Sequence, residues 1–199
     1  MRGVPTPAVS ILMAVHNAGR WLKPAVRSVL NQTFADLELL VLDNASSDGA
    51  VEDLRADVSD RRVSIERMEE NLGIPLGTNR LANRASGSFI AVLDQDDEMQ
   101  PEKLARQVSW LLKCPASGGV CCRTVLIDEA GSERGGDFTL PDAKEYLAFS
   151  AYSQAANFGS HLFRREVVER WPRREEFPFS SDFDFVARVA EDRKVDVIP

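Results

Sequence analysis

The feature that most constrains the fold of this chain is a series of short, continuous apolar runs. They alternate with segments in which apolar residues have the spacing of an amphipathic helix. Residues 8–15 (AVSILMAV) and 88–93 (SFIAVL) are apolar at nearly every position, which is typical of strands buried on both faces of a parallel sheet. In residues 20–32, apolar side chains recur every three to four positions, which indicates an amphipathic helix. The repeated order of strand and helix predicts an α/β fold, with a mainly parallel sheet, helices on both faces and right-handed crossovers.

The predicted alternation is regular up to residue 112 and less regular afterwards. In the first part we predict strands at residues 8–15, 37–42, 62–67 and 88–93, and helices at residues 20–32, 47–58, 74–85 and 101–112. In the second part we predict strands at residues 118–128, 161–163 and 195–198, a turn at 129–131, a loop at 135–141, and helices at 142–149, 166–170 and 181–191. These elements divide the chain into a flexible lead-in (1–7) and two halves of one domain (8–112 and 113–199). Because the sequence stops at Pro199, directly after a strand, we expect that a C-terminal part is missing from it.

The charge, the length of the apolar segments and the cysteine spacing limit the classes of function that this chain can have. The chain has 24 Lys and Arg against 31 Asp and Glu, a formal net charge of −7, whereas domains that bind nucleic acid usually present a basic face. No segment approaches the roughly 20 apolar residues of a membrane-spanning helix. Cys114, Cys121 and Cys122 lack metal or redox spacing, so we expect buried or half-buried thiols and a reducing, cytoplasmic location.

Three carboxylates follow the apolar run at residues 88–93. Asp94, Asp96 and Asp97 repel one another, and a fold rarely gathers such charges without a cation. They stand at the carboxyl end of a predicted parallel strand, where open α/β sheets bind ligands. Their oxygens suit Mn²⁺ or Mg²⁺, which would bridge to phosphates. The alternative is a solvated acidic loop that caps the helix starting near Pro101.

Two further polar groups stand at the ends of predicted elements. Asp43 and Asn44 follow a strand, where a side-chain acceptor can take the N3–H of a pyrimidine base; an Asx turn or a helix N-cap is the alternative. Asp182 and Asp184 begin a predicted helix. A carboxylate there can act as a general base, or it can cap the helix and interact favourably with its dipole.

Taken together, these groups resemble the motifs of the family 2 glycosyltransferases with the GT-A fold. The resemblance extends over residues 9–198 and is carried by VSILMAVHNAGRWLKPAVRSVLNQTFADLELLVLDNASSDG, NLGIPLGTNRLANRASGSFIAVLDQDDEMQPEKL with its D-x-D element, GSHLFRREV and SSDFDFVARVAE. It implies a Rossmann-like, mixed but mainly parallel sheet flanked by helices, with a smaller acceptor-side part. It also implies a metal-dependent, hexosyltransferase-type enzyme that moves a sugar from a nucleoside diphosphate sugar to an acceptor hydroxyl, with inversion.

The resemblance implies roles for particular residues. Those near the nucleotide would be Val9, Ala14, His16, Asn17, Asp43, Asn44, Asn79 or Arg80, and Asp94. Asp96 would be the main ligand of Mn²⁺ or Mg²⁺, with Asp94 beside the ribose or the metal. Asp182 matches the catalytic base of the family and Asp184 is the second choice, while Ser181 stands where the family commonly has Glu. The family often has two aspartates where this chain has Asp43 and Asn44, which leaves the base open, with a UDP-sugar as the expected donor.

Expectations for the acceptor side are broader. His161 would contact the acceptor or the diphosphate, or would be structural. The basic run of Arg164, Arg165, Arg173 and Arg174 is either a solvated surface or a site that attracts an anionic lipid-linked acceptor. The implied acceptor is a glycan, a lipid-linked molecule or a small molecule, in polysaccharide, cell-envelope or glycolipid biosynthesis. Peripheral contact with the inner face of the membrane and a homodimer are left open.

Two other classes of protein remain as alternatives. A nucleotidyltransferase shares the sheet and the acidic metal site, but its loop after the first strand is rich in Gly and Lys or Arg, whereas residues 15–20 here are VHNAGR. A non-catalytic module that binds nucleotide sugars is compatible with Ser181 in place of Glu.

Overall fold

The computed structural model describes residues 6–134 and 158–199. Its strands are β1 (Val9–Val15), β2 (Leu37–Asp43), β3 (Val63–Arg67), β4 (Phe89–Val92), β5 (Ser117–Cys122), β6 (His161–Arg164) and β7 (Lys194–Ile198). Its α-helices are α1 (Leu22–Leu30), α2 (Ala50–Asp57), α3 (Gly73–Arg84), α4 (Lys103–Lys113), α5 (Arg165–Arg170) and α6 (Ser181–Asp192), and short 3₁₀ turns occupy Gly19–Trp21 and Phe158–Ser160.

The strands of the described residues form one sheet in the order β3-β2-β1-β4-β6-β5-β7. β1 runs parallel to β2 and β4, and β2 runs parallel to β3. β6 is antiparallel to both β4 and β5, whereas β5 and β7 are parallel. This confirms the predicted mixed, mainly parallel sheet. The carboxyl ends of β1, β2 and β4 meet at one edge, where His16, Asn44 and the acidic residues 94–97 stand.

The continuous apolar runs are explained by helices that cover both faces of the sheet. In β1, Ile11 belongs to the cluster that packs under α1, α2 and α4, while its neighbour Leu12 belongs to the cluster that packs under α3. Both side chains are almost completely buried. Since successive residues of a strand face opposite sides, a strand covered on both faces must be apolar throughout.

A third cluster fills the second half, beneath α5 and α6. Phe158, Phe163 and Phe185 pack with ring centroids 5.0–5.7 Å apart. Gly119 of β5 lies directly against this group, because a Cβ at that position would be 2.4 Å from the Phe163 ring. This aromatic cluster supports the segment that leads into α6, where Asp182 stands.

Several predicted boundaries differ from those observed. The strand predicted for residues 118–128 ends at Cys122, because the chain then leaves the sheet for a turn closed by a hydrogen bond from the Gly131 N–H to the Asp128 oxygen (2.9 Å). That part of the prediction is wrong, although the turn at 129–131 is confirmed. α2 begins at Ala50 instead of residue 47, since Gly49 adopts a left-handed conformation (φ 80°) and Asp48 accepts the Ala50 N–H. The loop predicted at 135–141 and the helix at 142–149 lie outside the described residues.

Two expectations from composition can be compared with the structure. Cys121 is buried, and Cys114 and Cys122 are half-buried free thiols, as predicted. None of the helices in residues 6–134 and 158–199 has the length and apolar character needed to cross a membrane.

Candidate functional site

The loop after β1 is connected to the acidic loop (residues 94–97) through one glutamine. The Gln95 side chain accepts a hydrogen bond from the His16 N–H (2.7 Å) and donates one to the His16 carbonyl (3.2 Å). His16 is itself exposed, and its Nδ1 lies 2.9 Å from the carbonyl oxygen of Asn44. The ends of β1, β2 and β4 therefore form one connected surface. Gln95 was missed by the sequence analysis, because an amide between aspartates has no distinctive pattern.

Asn17 is also exposed on this surface. It has a positive φ of 52°, and its side-chain oxygen accepts the Ser47 N–H (2.8 Å). Ala14, near the end of β1, is half-buried and faces α3, since a Cβ on Gly77 would lie 3.5 Å from its methyl group. Among the residues expected near the nucleotide, His16 and Asn17 are accessible, while Ala14 lies beneath them and Val9, at the opposite end of β1, is buried.

Asp43 and Asn44 are buried, at 0% and 3% exposure. Asp43 accepts the Ser46 N–H (2.9 Å) through one carboxylate oxygen and pairs with Arg67 (2.6 Å) through the other. The Asn44 oxygen accepts the Leu72 N–H (2.9 Å). These contacts hold the loops after β2 and β3, which favours the alternative of a local turn. Recognition of the base by these residues stays a prediction.

Asn79 and Arg80 of α3 make contacts with other parts of the protein. The Asn79 side chain exchanges two hydrogen bonds with the backbone of Arg173, at 2.8 and 2.9 Å. Arg80 forms an ion pair with Glu66 of β3, and Arg84 pairs with the same carboxylate. Asn79 and Arg80 therefore both bind other parts of the fold. Among the described contacts, neither residue binds the loops that carry His16, Asn17 and Asp94.

Asp94 lies in a strongly acidic environment. The residue is reached by solvent, but the protein around it limits hydration of its carboxylate, and this desolvation is the largest cause that raises its pKa to about 6. The negative charges of Asp97, Asp96 and Asp182 raise the pKa further, and Arg173 opposes them. Since exposed charges interact only over roughly 10 Å at moderate salt, Asp94 and Asp182 belong to the same region of the molecule.

The described residues contain no group of three or more His, Cys, Asp or Glu side chains arranged to hold a metal ion. A cation at the acidic loop would therefore take only part of its coordination from the protein. Hard carboxylate oxygens suit Mg²⁺ or Mn²⁺, and both ions are commonly held by one or two carboxylates together with substrate phosphates. The donor set of Asp94 and Asp96 fits that kind of site, and their mutual repulsion would be relieved by a cation.

Asp182 and Asp184 occupy different environments in the first turn of α6. Asp182 is half-buried and interacts electrostatically with both Arg173 and Asp94. Asp184 forms ion pairs with Arg188 (2.7 Å) and Arg174 (3.4 Å), with its side chain 15% exposed. Both oxygens of the Asp184 carboxylate are thus engaged by arginine side chains. The geometry thus favours Asp182 over Asp184 as the candidate base.

His161 lies in the core, at 1% exposure. Its ring is stacked on Phe163, with centroids 5.3 Å apart and planes inclined by 6°. Its Nδ1 lies 3.2 Å from both the Ser160 hydroxyl and the Phe158 carbonyl. This position supports the structural alternative for His161, because an acceptor could reach the ring only if the aromatic cluster opened.

The basic run does not form a continuous basic surface. Arg164 donates to the carbonyls of Leu111 (2.6 Å) and Ser117 (2.8 Å), and Arg165 donates to carbonyls in the turn before β4. Arg174 pairs with Asp184, whereas Arg173 is 8% exposed. The two alternatives for this run were a solvated face and a site that attracts an anionic acceptor, and both place the arginine side chains in solvent. In the folded chain most of these side chains instead bind carbonyl or carboxylate groups of the protein.

Comparison with known sequences identifies related proteins. A family model described as "Glycosyl transferase family 2" matches residues 10–171. The chain is 29% identical to an uncharacterized glycosyltransferase of Methanocaldococcus jannaschii, over 96% of this chain and 68% of that protein. It is 40% identical over 105 residues to WfgD of Escherichia coli, named as a UDP-Glc:alpha-D-GlcNAc-diphosphoundecaprenol beta-1,3-glucosyltransferase, over 53% of this chain and 41% of WfgD.

Similar folds occur among solved structures. TarS of S. aureus in complex with UDP superposes with a TM-score of 0.76 at 16% identity, over 96% of this chain and 57% of the TarS chain. The mannosyltransferase PcManGT of Pyrobaculum calidifontis, in complex with GDP-Man and Mn²⁺, gives a TM-score of 0.73 at 20% identity, over 98% of this chain and 55% of that chain. The expected GT-A fold is thereby confirmed. The chain spans little more than half the length of these solved chains.

Proposed function

Since the chain belongs to glycosyl transferase family 2, we propose that it transfers a sugar from a nucleoside diphosphate sugar to an acceptor hydroxyl, with inversion at the anomeric carbon. The observation that carries this proposal is that the ends of β1, β2 and β4 are joined at one edge of the sheet, where Gln95 of the acidic loop binds the backbone of His16 and His16 lies against Asn44. Transfer requires that a donor-binding group and a proton acceptor face the same space. We assign these roles to Asp94 and Asp182, which influence each other electrostatically although they are distant in sequence.

The donor would bind across the carboxyl ends of β1, β2 and β4. His16 and Asn17 offer exposed polar groups there, and Asp43 and Asn44 lie directly beneath. We propose a UDP-sugar as the donor, which is supported by the UDP and UDP-GlcNAc complexes of TarS; the GDP-Man complex of PcManGT makes a guanine nucleotide the competing choice. Through its two hydrogen bonds to the His16 backbone, Gln95 would hold the loop after β1 in a fixed position relative to the acidic loop.

Asp96, with Asp94, would hold Mn²⁺ or Mg²⁺ against the diphosphate. A bound divalent cation there would neutralise negative charge that develops on the departing nucleoside diphosphate. The support is chemical: hard oxygen donors and an excess of negative charge both favour cation binding at this loop. PcManGT, which shares the fold, contains Mn²⁺.

Asp182 would accept the proton of the acceptor hydroxyl. The hydroxyl oxygen forms a bond to the anomeric carbon while the bond to the diphosphate breaks, the proton passes to the Asp182 carboxylate, and a single displacement inverts the configuration. Positioned general-base catalysis contributes roughly 10²–10⁴-fold to the rate. Asp184 is a weaker candidate, because its carboxylate is already paired with two arginines.

For the acceptor we propose a glycan or lipid-linked glycan of a cell-envelope or polysaccharide pathway. The name of WfgD, which describes transfer to a diphosphoundecaprenol-linked sugar, supports this class. An acceptor of that kind would bring the protein to the inner face of the membrane, and this localisation is part of the proposal.

A panel of nucleotide sugars tests the proposed function. We expect one UDP-, GDP- or dTDP-sugar to raise the melting temperature by about 5–10 °C at 100 times its dissociation constant, with Mn²⁺ but not with EDTA. The same compound should be slowly hydrolysed, with water as the acceptor. Asp96→Asn is the matched control and should fold normally while losing the Mn²⁺-dependent shift. Binding without hydrolysis would indicate a non-catalytic module, and the absence of both would contradict the proposal.

A further inference from the structure

We propose that Arg173 is a positioning residue for transfer: its buried guanidinium, fixed by Asn79 and Phe158, lies beside Ser181 at the start of α6 and orients the adjoining Asp182 carboxylate. This inference rests on the proposed function, since it assigns a role beside the proposed base.

Two independent contacts fix the place of Arg173. Its backbone N–H donates to the Asn79 side-chain oxygen (2.9 Å), and its carbonyl accepts from the Asn79 amide (2.8 Å). Its guanidinium carbon lies 4.1 Å from the centroid of the Phe158 ring, in the range of a cation–π contact. Phe158 is in turn held by Phe163 and Phe185. The backbone and the charged end of the side chain are therefore both anchored.

Few hydrogen bonds from the described part of the chain reach the guanidinium of Arg173. Arg173 is 8% exposed and carries five N–H donors, yet its side-chain hydrogen bond among the described residues is a long one, to the Ser181 hydroxyl at 3.4 Å. Ser181 directly precedes Asp182. One guanidinium nitrogen of Arg173 therefore lies beside the residue that precedes Asp182 at the start of α6.

Charge explains why a guanidinium is tolerated at this place. Burying a cation away from water is costly unless anions compensate it. Desolvation lowers the pKa of Arg173 to about 10, and the charges of Asp182 and then Asp94 oppose that shift. Arg173 is therefore a cation that interacts electrostatically with both carboxylates.

The next residue supplies a matched control. Arg174 has the same side chain but is half-exposed (50%) and pairs with Asp184 at 3.4 Å. If Arg173 served only to pack on Phe158, an apolar side chain of similar length would replace it well, because exchanging a buried charge for a hydrophobic residue is often neutral or stabilising. Arg173→Met separates that structural role from the proposed one.

The test is a double-mutant cycle on the full chain, with hydrolysis of the nucleotide sugar identified by the panel as the assay and UDP with Mn²⁺ as the binding probe. We expect Arg173→Met to lower kcat by about 10–100-fold, to change KM and UDP affinity by less than about threefold, and to keep the melting temperature. Arg173→Lys should recover part of kcat, and Arg174→Met should stay within about twofold of the parent.

The cycle with Asp182 makes the inference falsifiable. If Arg173 acts through Asp182, Arg173→Met combined with Asp182→Asn should be no slower than Asp182→Asn alone, since coupled residues are not additive. Independent, multiplicative losses or an unchanged kcat in Arg173→Met would overturn the positioning role while leaving the proposed function intact. A normal kcat in Asp182→Asn would instead refute the proposed base itself. Should Arg173→Met fail to fold, Arg173→Lys in the same cycle provides the measurement.

Discussion

The side chain of Asn79 and the backbone of Arg173, 94 residues apart in sequence, are joined by two hydrogen bonds. Asn79 belongs to α3 in the nucleotide-side half, and Arg173 belongs to the loop that leads to α6 in the acceptor-side half. These two hydrogen bonds fix the position of the acceptor-side loop relative to the nucleotide-side helix. It also gives Asn79 a role that differs from the nucleotide contact implied by its position in the sequence.

Replacing Asn79 by Ala distinguishes these two roles. We expect the free energy of unfolding to fall by about 1–3 kcal/mol, because the Arg173 N–H and carbonyl lose their partners. Turnover should fall as the loop of Arg173 loosens, while affinity for UDP with Mn²⁺ stays nearly constant. Chemical denaturation and calorimetric titration measure the two quantities. A large loss of nucleotide affinity at unchanged stability would show instead that Asn79 contacts the nucleotide.

The buried carboxylate of Asp43 gives a second prediction. Arg67→Met should destabilise the protein by about 1–3 kcal/mol, since Asp43 is fully buried and would keep only the Ser46 N–H as a partner. Glu52→Gln is the control, because Glu52 pairs with the same guanidinium from an exposed position, with 59% of its side chain accessible. Its effect should lie within about 0.5 kcal/mol. Equal effects of the two variants in urea unfolding would argue against a structural role for the Asp43–Arg67 pair.

We predict that the free energy of unfolding depends on pH because of Lys103, which lies in the first turn of α4. Burial lowers its pKa to about 8, and Nζ donates to the Gln107 side chain (3.0 Å). Between pH 8 and the ordinary pKa of 10.5, the unfolded chain binds more protons than the folded one, so this group makes stability increase with pH in that window. Lys103→Met should therefore raise the melting temperature at pH 7 by about 3–6 °C, and the gain should shrink above pH 8.

The control for Lys103 is Lys113→Met at the other end of α4, where the side chain is exposed. Its melting temperature should match that of the parent across the same pH range. A lower melting temperature for Lys103→Met at pH 7 would mean that the hydrogen bond to the buried Gln107 stabilises more than desolvation destabilises.

The sequence predicted the first half of the fold well, because burial on both faces forces β1 and β2 to be apolar throughout. It also indicated which loops meet, since parallel strands bring their carboxyl ends to one edge. The environment of each polar residue could not be predicted in the same way. Asp182 and Asp184 have similar positions in the first turn of α6, and only tertiary contacts pair Asp184 with two arginines.

Arg173 shows the same limit more strongly. In the sequence it is one of two adjacent arginines, and nothing in the pattern separates it from Arg174. Its burial depends on Asn79 and Phe158, which approach only when the two halves of the domain have folded together. The end of β5 at Cys122 is similar, because the residues that follow (RTVLI) still favour a strand while the chain leaves the sheet for the turn at Asp128.

The most direct measurement of the central claim is the comparison of Asp182→Asn with Asp184→Asn. We predict that Asp182→Asn lowers the rate of transfer or hydrolysis by about 10²–10⁴-fold and leaves affinity for UDP with Mn²⁺ nearly unchanged. Asp184→Asn should mainly reduce stability, because it removes one partner of Arg188 and Arg174. Full activity in Asp182→Asn, or loss of activity only in Asp184→Asn, would contradict the account.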